Sequence, residues 1–494
     1  MVTTMYVVAA AVFGILCSLA FDPVNVPLAM IIGVAGLLAM LRQMARSRRR
    51  VVAAVGAGFG LGFMVPLVWW MNAVSSGAYV GIVLSQLGFF ALLAVCLRRV
   101  MRLRFWPLWG AAVWVGIEFF RSSFPFSGFP WGRLAHTGVD TPFAGYVRLI
   151  GTPGMSAVMF LAAAAIAYAA HGQKPKQTAI ALLSVLALLG VGAALPTGIA
   201  GAEDTKQVAL VQGDVPGVFG TWPLGEIFQK HAAQTQRLIA DIASGDQARP
   251  DLVLWPENST DVDPEQYTDE DDRIRELSAA LEAPILVGGI FNGPTSETAY
   301  NAGVVWDENG PGERYVKRKV VPYGEYVPFR NALGGLVPRF DRDIPRDMLG
   351  GKKPGVLELA GVKIGDTICW DIAYDGNIRD NIDGGAQVLV VQTSNASFTG
   401  TSQPEQQWKI SRLRAIETGR YVLVPSTNGI SGIVDPQGNT VARAATQIPA
   451  TLSAEITLAN AKTPGVRFGG ILEYALVALA LLGMILGRKR GGTG

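Results

Sequence analysis

Gly365-Asp366-Thr367-Ile368-Cys369-Trp370-Asp371 is where the chain brings its chemistry into view. Val362, Ile364 and Ile368 lead up to a cysteine, and an acid follows two places later. The pattern reads as a buried strand that ends by presenting a thiol at a turn. Elbows of this kind hold nucleophiles at the rim of a sheet. The chain has three cysteines, and Cys369 alone lies outside the long apolar segments; Cys17 and Cys96 sit in stretches that read as membrane helices. A single cysteine in a polar domain has no disulfide partner there. Taken by itself it reads more readily as a small buried hydrophobe at a strand end. What decides between the two lies elsewhere in the chain.

With 494 residues there is room for two to four domains. Half of the chain is hydrophobic and only 16% is charged, well short of the roughly 25% of a soluble protein. The average hides a division into three: residues 1–200 are apolar with few acids, 201–465 have globular composition, and 466–494 are apolar and then basic. The net charge of +3 is small, and no basic, aromatic-laced groove points to nucleic acid. Three histidines (His136, His171, His231), none at ligand spacing, and no CxxC pair give no basis for a metal centre or other cofactor.

A spanning helix needs about 20 mostly apolar residues. Candidates are Tyr6–Phe21, Val26–Leu41, Val51–Met71, Tyr79–Leu97, Phe105–Phe120, Pro153–Ala170 and Thr178–Pro196, with an eighth over Gly470–Leu486. A cleaved signal peptide is the rival reading of the first, but it has no basic leader. Arginines and lysines follow the second helix (Arg42, Arg46, Arg48, Arg49, Arg50), the fourth (Arg98, Arg99, Arg102, Arg104), the sixth (Lys174, Lys176) and the eighth (Arg488, Lys489, Arg490). Every second connection is therefore basic, which assigns those connections to the cytoplasm. The region 201–465 then falls on the extracytoplasmic side. Trp69 and Trp70 close the third helix as interface aromatics do. Gly56, Gly58, Gly60 and Gly62 read either as a close-packing face or as ordinary membrane glycines. The loop Arg121–Thr152 carries Phe124, Pro125, Phe126, Phe129, Pro130 and Trp131, and reads as a re-entrant loop or as a lipid-access surface.

In the globular region, apolar runs at 204–212, 251–254, 284–288, 302–306, 314–320, 356–359, 362–369, 387–392, 421–425 and 430–435 predict strands. Helical periodicity marks 226–244, 269–282 and 406–418. Strands alternating with helices, plus hairpins, make an α/β domain of layered sheets. Three predicted strand ends carry polar groups: Glu257 in Trp255-Pro256-Glu257-Asn258, Lys317 in Tyr315-Val316-Lys317-Arg318, and Cys369. A carboxylate can take a thiol proton, and a lysine can hold the oxyanion formed when a thiolate attacks a carbonyl. Singly, each has a plainer account, as an exposed acid, a solvated charge and a buried thiol.

Together with their context these residues resemble a known family. Leu254-Trp255-Pro256-Glu257-Asn258, Lys317 to Glu325 (KRKVVPYGE) and Ile368-Cys369-Trp370-Asp371 resemble the Glu–Lys–Cys signature of the nitrilase superfamily, in the same chain order. With about seven helices before and one after, nearly the whole chain is similar to bacterial apolipoprotein N-acyltransferases. Gly128-Phe129-Pro130-Trp131, Gln212-Gly213-Asp214-Val215-Pro216, Ser394-Asn395-Ala396-Ser397-Phe398, the run Arg412 to Arg420 (RLRAIETGR) and Ser426 to Ser431 (STNGIS) match further pieces of the family pattern.

The resemblance implies an αββα nitrilase-like sandwich at 201–465, on a transmembrane bundle at 1–200, with a C-terminal transmembrane helix and basic tail at 466–494. It implies a multi-pass protein of the cytoplasmic membrane and a two-step acyl transfer without a cofactor. In that chemistry Glu257 takes the proton of Cys369, and the thiolate accepts an acyl chain from a membrane phospholipid as a thioester. The α-amine of a lipoprotein's diacylglyceryl-cysteine then takes the chain. Lys317 and a backbone N–H near Trp370 hold the oxyanion, Glu325 is a further polar contact, and Trp222 lies on a loop over the site. Three features depart from the family pattern: Asp371 stands where a glutamate is usual, Trp370 where a tyrosine or phenylalanine is usual, and Gln403-Pro404-Glu405 finds no match. A membrane-tethered amidase acting on a small soluble amide uses the same three residues and is the alternative reading.

Overall fold

The computed structural model describes residues 2–171, 174–215, 222–330, 342 and 344–489. The chain divides into two compact units, Met1–Thr197 with Thr463–Gly494, and Gly198–Lys462. The middle of the loop Val215–Leu224 and the end of the basic tail lie outside the described residues.

The first unit holds helices α1 (Val2–Ser18), α2 (Pro27–Gln43), α3 (Arg49–Leu67), α4 (Ser76–Val100), α5 (Trp106–Arg121), α6 (Ala144–Ala169), α7 (Pro175–Ala194) and, from the far end of the chain, Pro464–Lys489. Among the described residues five helices are long and apolar enough to cross a membrane: Arg49–Leu67, Ser76–Val100, Ala144–Ala169, Pro175–Ala194 and Pro464–Arg488. The α3 glycines are a close-packing device on two faces. A Cβ on Gly58 or Gly62 would meet the backbone of α1 (Val7 O at 2.8 Å, Ala11 O at 2.0 Å). On Gly56 or Gly60 it would meet Phe90 of α4 at 2.3 and 2.7 Å. Spacing of four keeps each pair on one side of the helix.

Three expectations change here. Helix α6 starts at Ala144, not Pro153; Gly151 (φ 68°) kinks it, and the proline sits just beyond that kink. The preceding loop is correspondingly shorter. Within it Phe129, Pro130 and Trp131 are buried, and only Phe124 and Phe126 are exposed apolar rings. The reason is Arg121, whose guanidinium is buried and donates to Phe129 O (3.0 Å) and Trp131 O (2.6 Å), drawing the loop inward. Glu118 holds the other end by accepting from Leu134 N (2.9 Å) and pairing with Arg133 (3.5 Å). Trp69 is exposed, but Trp70 is buried edge-on against Trp131.

The second unit is a sandwich. Among the described residues one sheet has the order β13-β1-β2-β3-β4-β5, with β6 (Asp347–Met348) paired to β4. Its strands are β1 (Ala202–Gln212), β2 (Leu252–Leu254), β3 (Ile285–Asn292), β4 (Thr298–Asp307), β5 (Gly310–Val316) and β13 (Ala450–Ala459). The other has the order β12-β11-β10-β9-β8-β7, from β7 (Val356–Leu359), β8 (Val362–Ile368), β9 (Val388–Gln392), β10 (Val422–Val424), β11 (Gly432–Val434) and β12 (Thr440–Arg443). Alternation along the strands builds the layers. Val208, Leu210, Leu252 and Leu254 face Ile364, Ile368, Val388 and Val390 between the sheets. Their neighbours Ala209, Val211, Val253 and Trp255 face helices α8 (Glu226–Ser244) and α9 (Thr268–Leu281). Helices α10 (Asp375–Asp383) and α11 (Gln403–Thr418) pack on the second sheet. Strand β13, unforeseen in the sequence, lies antiparallel to β1 from Gln212↔Ala450 to Ala202↔Ala459.

At one end the apolar filling gives way to polar groups, and two glycines make room for them. Gly288 of β3 and Gly303 of β4 are cross-strand partners. A Cβ on Gly288 would lie 2.9 Å from Gln392 Nε2. One on Gly303 would lie 2.3 Å from Gln392 Oε1 and 2.4 Å from Asp366 Oδ2. The second sheet's polar side chains thus enter a gap left by missing side chains on the first. We predict that Gly303→Ala lowers stability by about 1–3 kcal/mol through overpacking, read as a lower melting temperature of the detergent-solubilised protein.

Candidate active site

Strands β2, β5 and β8 each end in one residue of the set picked out in the sequence. Three residues beyond β2 stands Glu257, one beyond β5 stands Lys317, and immediately beyond β8 stands Cys369. Cys369 has φ 50°, in the left-handed region, and opens a short 3-10 turn over Cys369–Ala373. A non-glycine residue held there is uncommon and costs strain, as expected of a nucleophile elbow. The thiol is half-buried, while Glu257 and Lys317 are buried.

The ammonium of Lys317 is shared by two carboxylates. It donates to Glu325 Oε1 at 2.8 Å and to Glu257 Oε1 at 3.3 Å. Asn301 of β4 donates its amide N–H to the same two oxygens, at 2.8 Å to Glu257 and 3.0 Å to Glu325. The second oxygen of Glu257 accepts from Ser394 N (3.0 Å), and that of Glu325 from Val321 N (2.7 Å). Burial by itself pushes the Lys317 ammonium down, but Glu325 and Glu257 outweigh it and hold the group well above the ordinary lysine range. The Cys369 thiol is pushed up to about 12, by burial first and the nearby charge of Glu257 second; Lys317 and a hydrogen bond with Thr393 draw it partway back.

Asp371 is fully buried and has four donors. Tyr315 Oη (2.5 Å) and Arg318 N (3.4 Å) reach Oδ2, and Lys319 N (3.0 Å) and Asn377 Nδ2 (3.0 Å) reach Oδ1. The shorter acid is therefore well satisfied, and it ties the residues around Lys317 to the turn that carries the cysteine. Trp370 donates its indole N–H to Tyr374 Oη at 2.6 Å. Trp222 packs on Val215, Ile227 and Ala396, two residues from Ser394. Gln403 opens α11, three residues earlier than predicted, and bonds Asn395 Nδ2 at 2.9 Å.

Sequence reasoning missed Asn301, Gln392 and Thr393. Gln392 crosses between the sheets to donate to Trp255 O (2.7 Å), two residues before Glu257. Its Oε1, and both oxygens of Asp366, have no donor partner among the described residues. Burial, then the charge of Asp371, pushes Asp366 well above the carboxylate range. The signal for Asn301 was a polar residue inside an apolar run; Gln392 and Thr393 stand where the run Val388–Val391 ends.

Residues 207–463, the region that holds this half-buried thiol with the buried Glu257 and Lys317, match the family model for carbon-nitrogen hydrolases. Residues 13–165 match the apolipoprotein N-acyltransferase N-terminal domain. The chain is 33% identical to the apolipoprotein N-acyltransferase of Mycolicibacterium smegmatis, over 88% of this chain and 77% of that one. The enzyme of the same name from Nitrosomonas europaea is 28% identical over 76% of this chain and 74% of its own. Among solved structures, a nitrilase-superfamily amidase from Nesterenkonia matches at 16% identity and a TM-score of 0.36, over 56% of this chain and 95% of that one. The chain belongs to the apolipoprotein N-acyltransferase family. It is an acyl-transferring enzyme, and a multi-pass protein of the inner membrane.

The upward shift of Asp366 has a measurable consequence. Above about pH 4, where an ordinary carboxyl ionises, the folded chain keeps a proton that the unfolded chain releases, so stability falls as pH rises towards the raised folded value. Asp366→Asn removes this dependence. Its stability relative to the unmodified protein, read through the melting temperature, is expected to increase as pH rises above 5, at up to about 1.4 kcal/mol per pH unit; parallel melting curves would count against the upward shift of Asp366.

Proposed function

We propose that this protein N-acylates apolipoproteins by a two-step transfer on Cys369. The observation that carries the reading is the shared ammonium of Lys317, bonded to Glu257 and Glu325 and close enough to Cys369 to draw its thiol pKa down. Glu257 takes the thiol proton. Cys369 sulfur attacks the ester carbonyl of a membrane phospholipid, and the oxyanion is held by Lys317 with a backbone N–H near Trp370. Collapse forms the thioester, and the lysophospholipid alkoxide leaves with the proton from Glu257. The α-amine of a diacylglyceryl-cysteine then attacks the thioester. The N–C bond forms, the C–S bond breaks, and the amine proton returns through Glu257 to the thiolate. Glu325 keeps Lys317 in place, Asp371 keeps the lysine-bearing loop on the cysteine turn, and Trp222 bounds the acyl site.

Both substrates carry membrane anchors, which accounts for a catalytic unit flanked in sequence by apolar helices. In this reading the region 201–465 is catalytic, 1–200 and 466–494 are membrane segments, and the alternating basic connections put the catalytic unit outside the cytoplasm. A tethered amidase has no use for the N-terminal family domain at 13–165.

Incubation with phospholipid alone is expected to add one acyl chain to the intact mass. The adduct should be cleaved by hydroxylamine and absent from Cys369→Ser. Turnover of a small amide with no acyl adduct would reverse the reading. Glu257→Gln should slow adduct formation by at least about 100-fold, the usual scale for losing a general base. A reporter fused after Val208 should be active only outside the cytoplasm, and cytoplasmic activity would overturn the orientation.

A further inference from the structure

Glu257 stands where the strand ladder no longer holds the chain. The last bond of the ladder before it runs from Trp255 N to Leu286 O at 2.8 Å. Pro256 has no N–H to give, and at Asn258 the chain turns away with φ 53°. Among the described residues one group alone bonds the main chain of Glu257. It is the hydroxyl of Thr427, which donates to Glu257 O at 2.7 Å. A carbonyl oxygen only accepts, so that bond has a single direction. Thr427 is buried and lies just beyond β10, in the run Ser426 to Ser431.

The same residue reaches the carboxylate by a second route. Thr427 N donates to Thr393 O at 3.0 Å. That oxygen belongs to the peptide group between residues 393 and 394, whose N–H, on Ser394, donates to Glu257 Oε2 at 3.0 Å. A peptide group is planar, so fixing its oxygen fixes the direction of its N–H. A donor on the carbonyl also polarises the unit and makes the N–H a better donor. Thr427 is anchored in turn by Asp214 N, which donates to Thr427 O at 2.9 Å. A ring of bonds thus closes through Glu257 O, Thr427, the 393–394 peptide and Glu257 Oε2. The other carboxylate oxygen, Oε1, is held by Asn301 and Lys317.

We propose that Thr427 is a positioning residue for the base. Its hydroxyl holds the carbonyl of Glu257, and its N–H holds the peptide that meets Glu257 Oε2, so the carboxylate stays where it can take the thiol proton. Without the hydroxyl, the main chain at Glu257 loses its tie while Oε2 keeps its own. A reacting group misplaced by about 1 Å can cost about 100-fold, so the loss of one tie is felt in the rate. The inference rests on Glu257 being the base of the proposed reaction.

The test compares Thr427→Val, which removes the hydroxyl and keeps the N–H, with Thr427→Ser, which keeps both. Each is made in the unmodified protein and in Glu257→Gln. Single-turnover thioester formation from phospholipid is followed by intact mass on the full-length protein in detergent. In the unmodified background Thr427→Val is expected to slow the step about tenfold, the scale of one hydrogen bond. Thr427→Ser is expected to restore it to within about twofold, and in Glu257→Gln the change from Thr427→Val is expected to stay within about twofold, because the base it places is already gone. Thr427→Ala, which sets no extra methyl against the carbonyl, replaces Thr427→Val if that variant does not fold. Equal slowing in both backgrounds is what a structural role alone gives. That result, a Thr427→Ser as slow as Thr427→Val, or no slowing in a folded Thr427→Val or Thr427→Ala overturns the inference and leaves Glu257 standing as the base. A Glu257→Gln enzyme as fast as the unmodified one overturns both.

Discussion

One buried ammonium facing two buried carboxylates sets the terms for the rest of the catalytic unit. Taking Lys317 out of water costs several kcal/mol unless its charge is met at close range, and Glu257 and Glu325 meet it. The carboxylates in turn need donors on every side, and Asn301, Ser394 N and Val321 N supply them. Those donors come from β4, from the segment after β9 and from the loop after β5. The cluster therefore closes only when both sheets are folded and in register. A half-satisfied version would be worse than an apolar core, which is why the site and the fold stand or fall together.

The register between the sheets is itself held by polar contacts. Gln392 reaches Trp255 O through the gap at Gly288 and Gly303, and Asp366 occupies the same gap. Asp371 performs a similar service lower down, collecting Tyr315, two backbone N–H groups and Asn377 beneath the cysteine turn. The apolar layer supplies the driving force for stacking the sheets, but it is indifferent to small slips. Directional bonds to Trp255 O and Asp371 are not, and they bear on the two turns that carry Glu257 and Cys369.

Much of this could be read in the sequence, for a physical reason. Short buried strands end abruptly, and a charged residue just past an apolar run has few places to be except a sheet rim. Glu257, Lys317 and Cys369 were visible on that ground, and family resemblance joined them. Elements without such punctuation were missed. Strand β13 alternates Leu452, Ala454, Ile456 and Leu458 with Thr451, Ser453, Glu455 and Thr457, a period-two signal weakened by small residues. Helix α10 is short and acidic, with only Ile378 and Ile382 as apolar residues to mark its buried face. The start of α6 was set too late because Pro153 reads as a first-turn residue, whereas here it follows a glycine kink inside the helix. Asn301 and Thr393 carry no motif, and their meaning depends on what stands across a strand gap.

The charge balance of the site explains how a thiol pushed up to about 12 can serve the proposed reaction. Two carboxylates and one ammonium leave a single net negative charge. Releasing the thiol proton to solvent would add a second in a buried place, and burial forbids it. Passing the proton to Glu257 adds none, since the charge moves from oxygen to sulfur within the cluster. When sulfur attacks a carbonyl, the same charge moves on to the oxyanion, next to Lys317. Each step shifts one charge over a short distance among groups already in place, so little reorganisation is needed. The high resting value then protects the cysteine from adventitious oxidants and electrophiles, while an acyl ester bound against Lys317 meets a nucleophile at the moment its proton has somewhere to go.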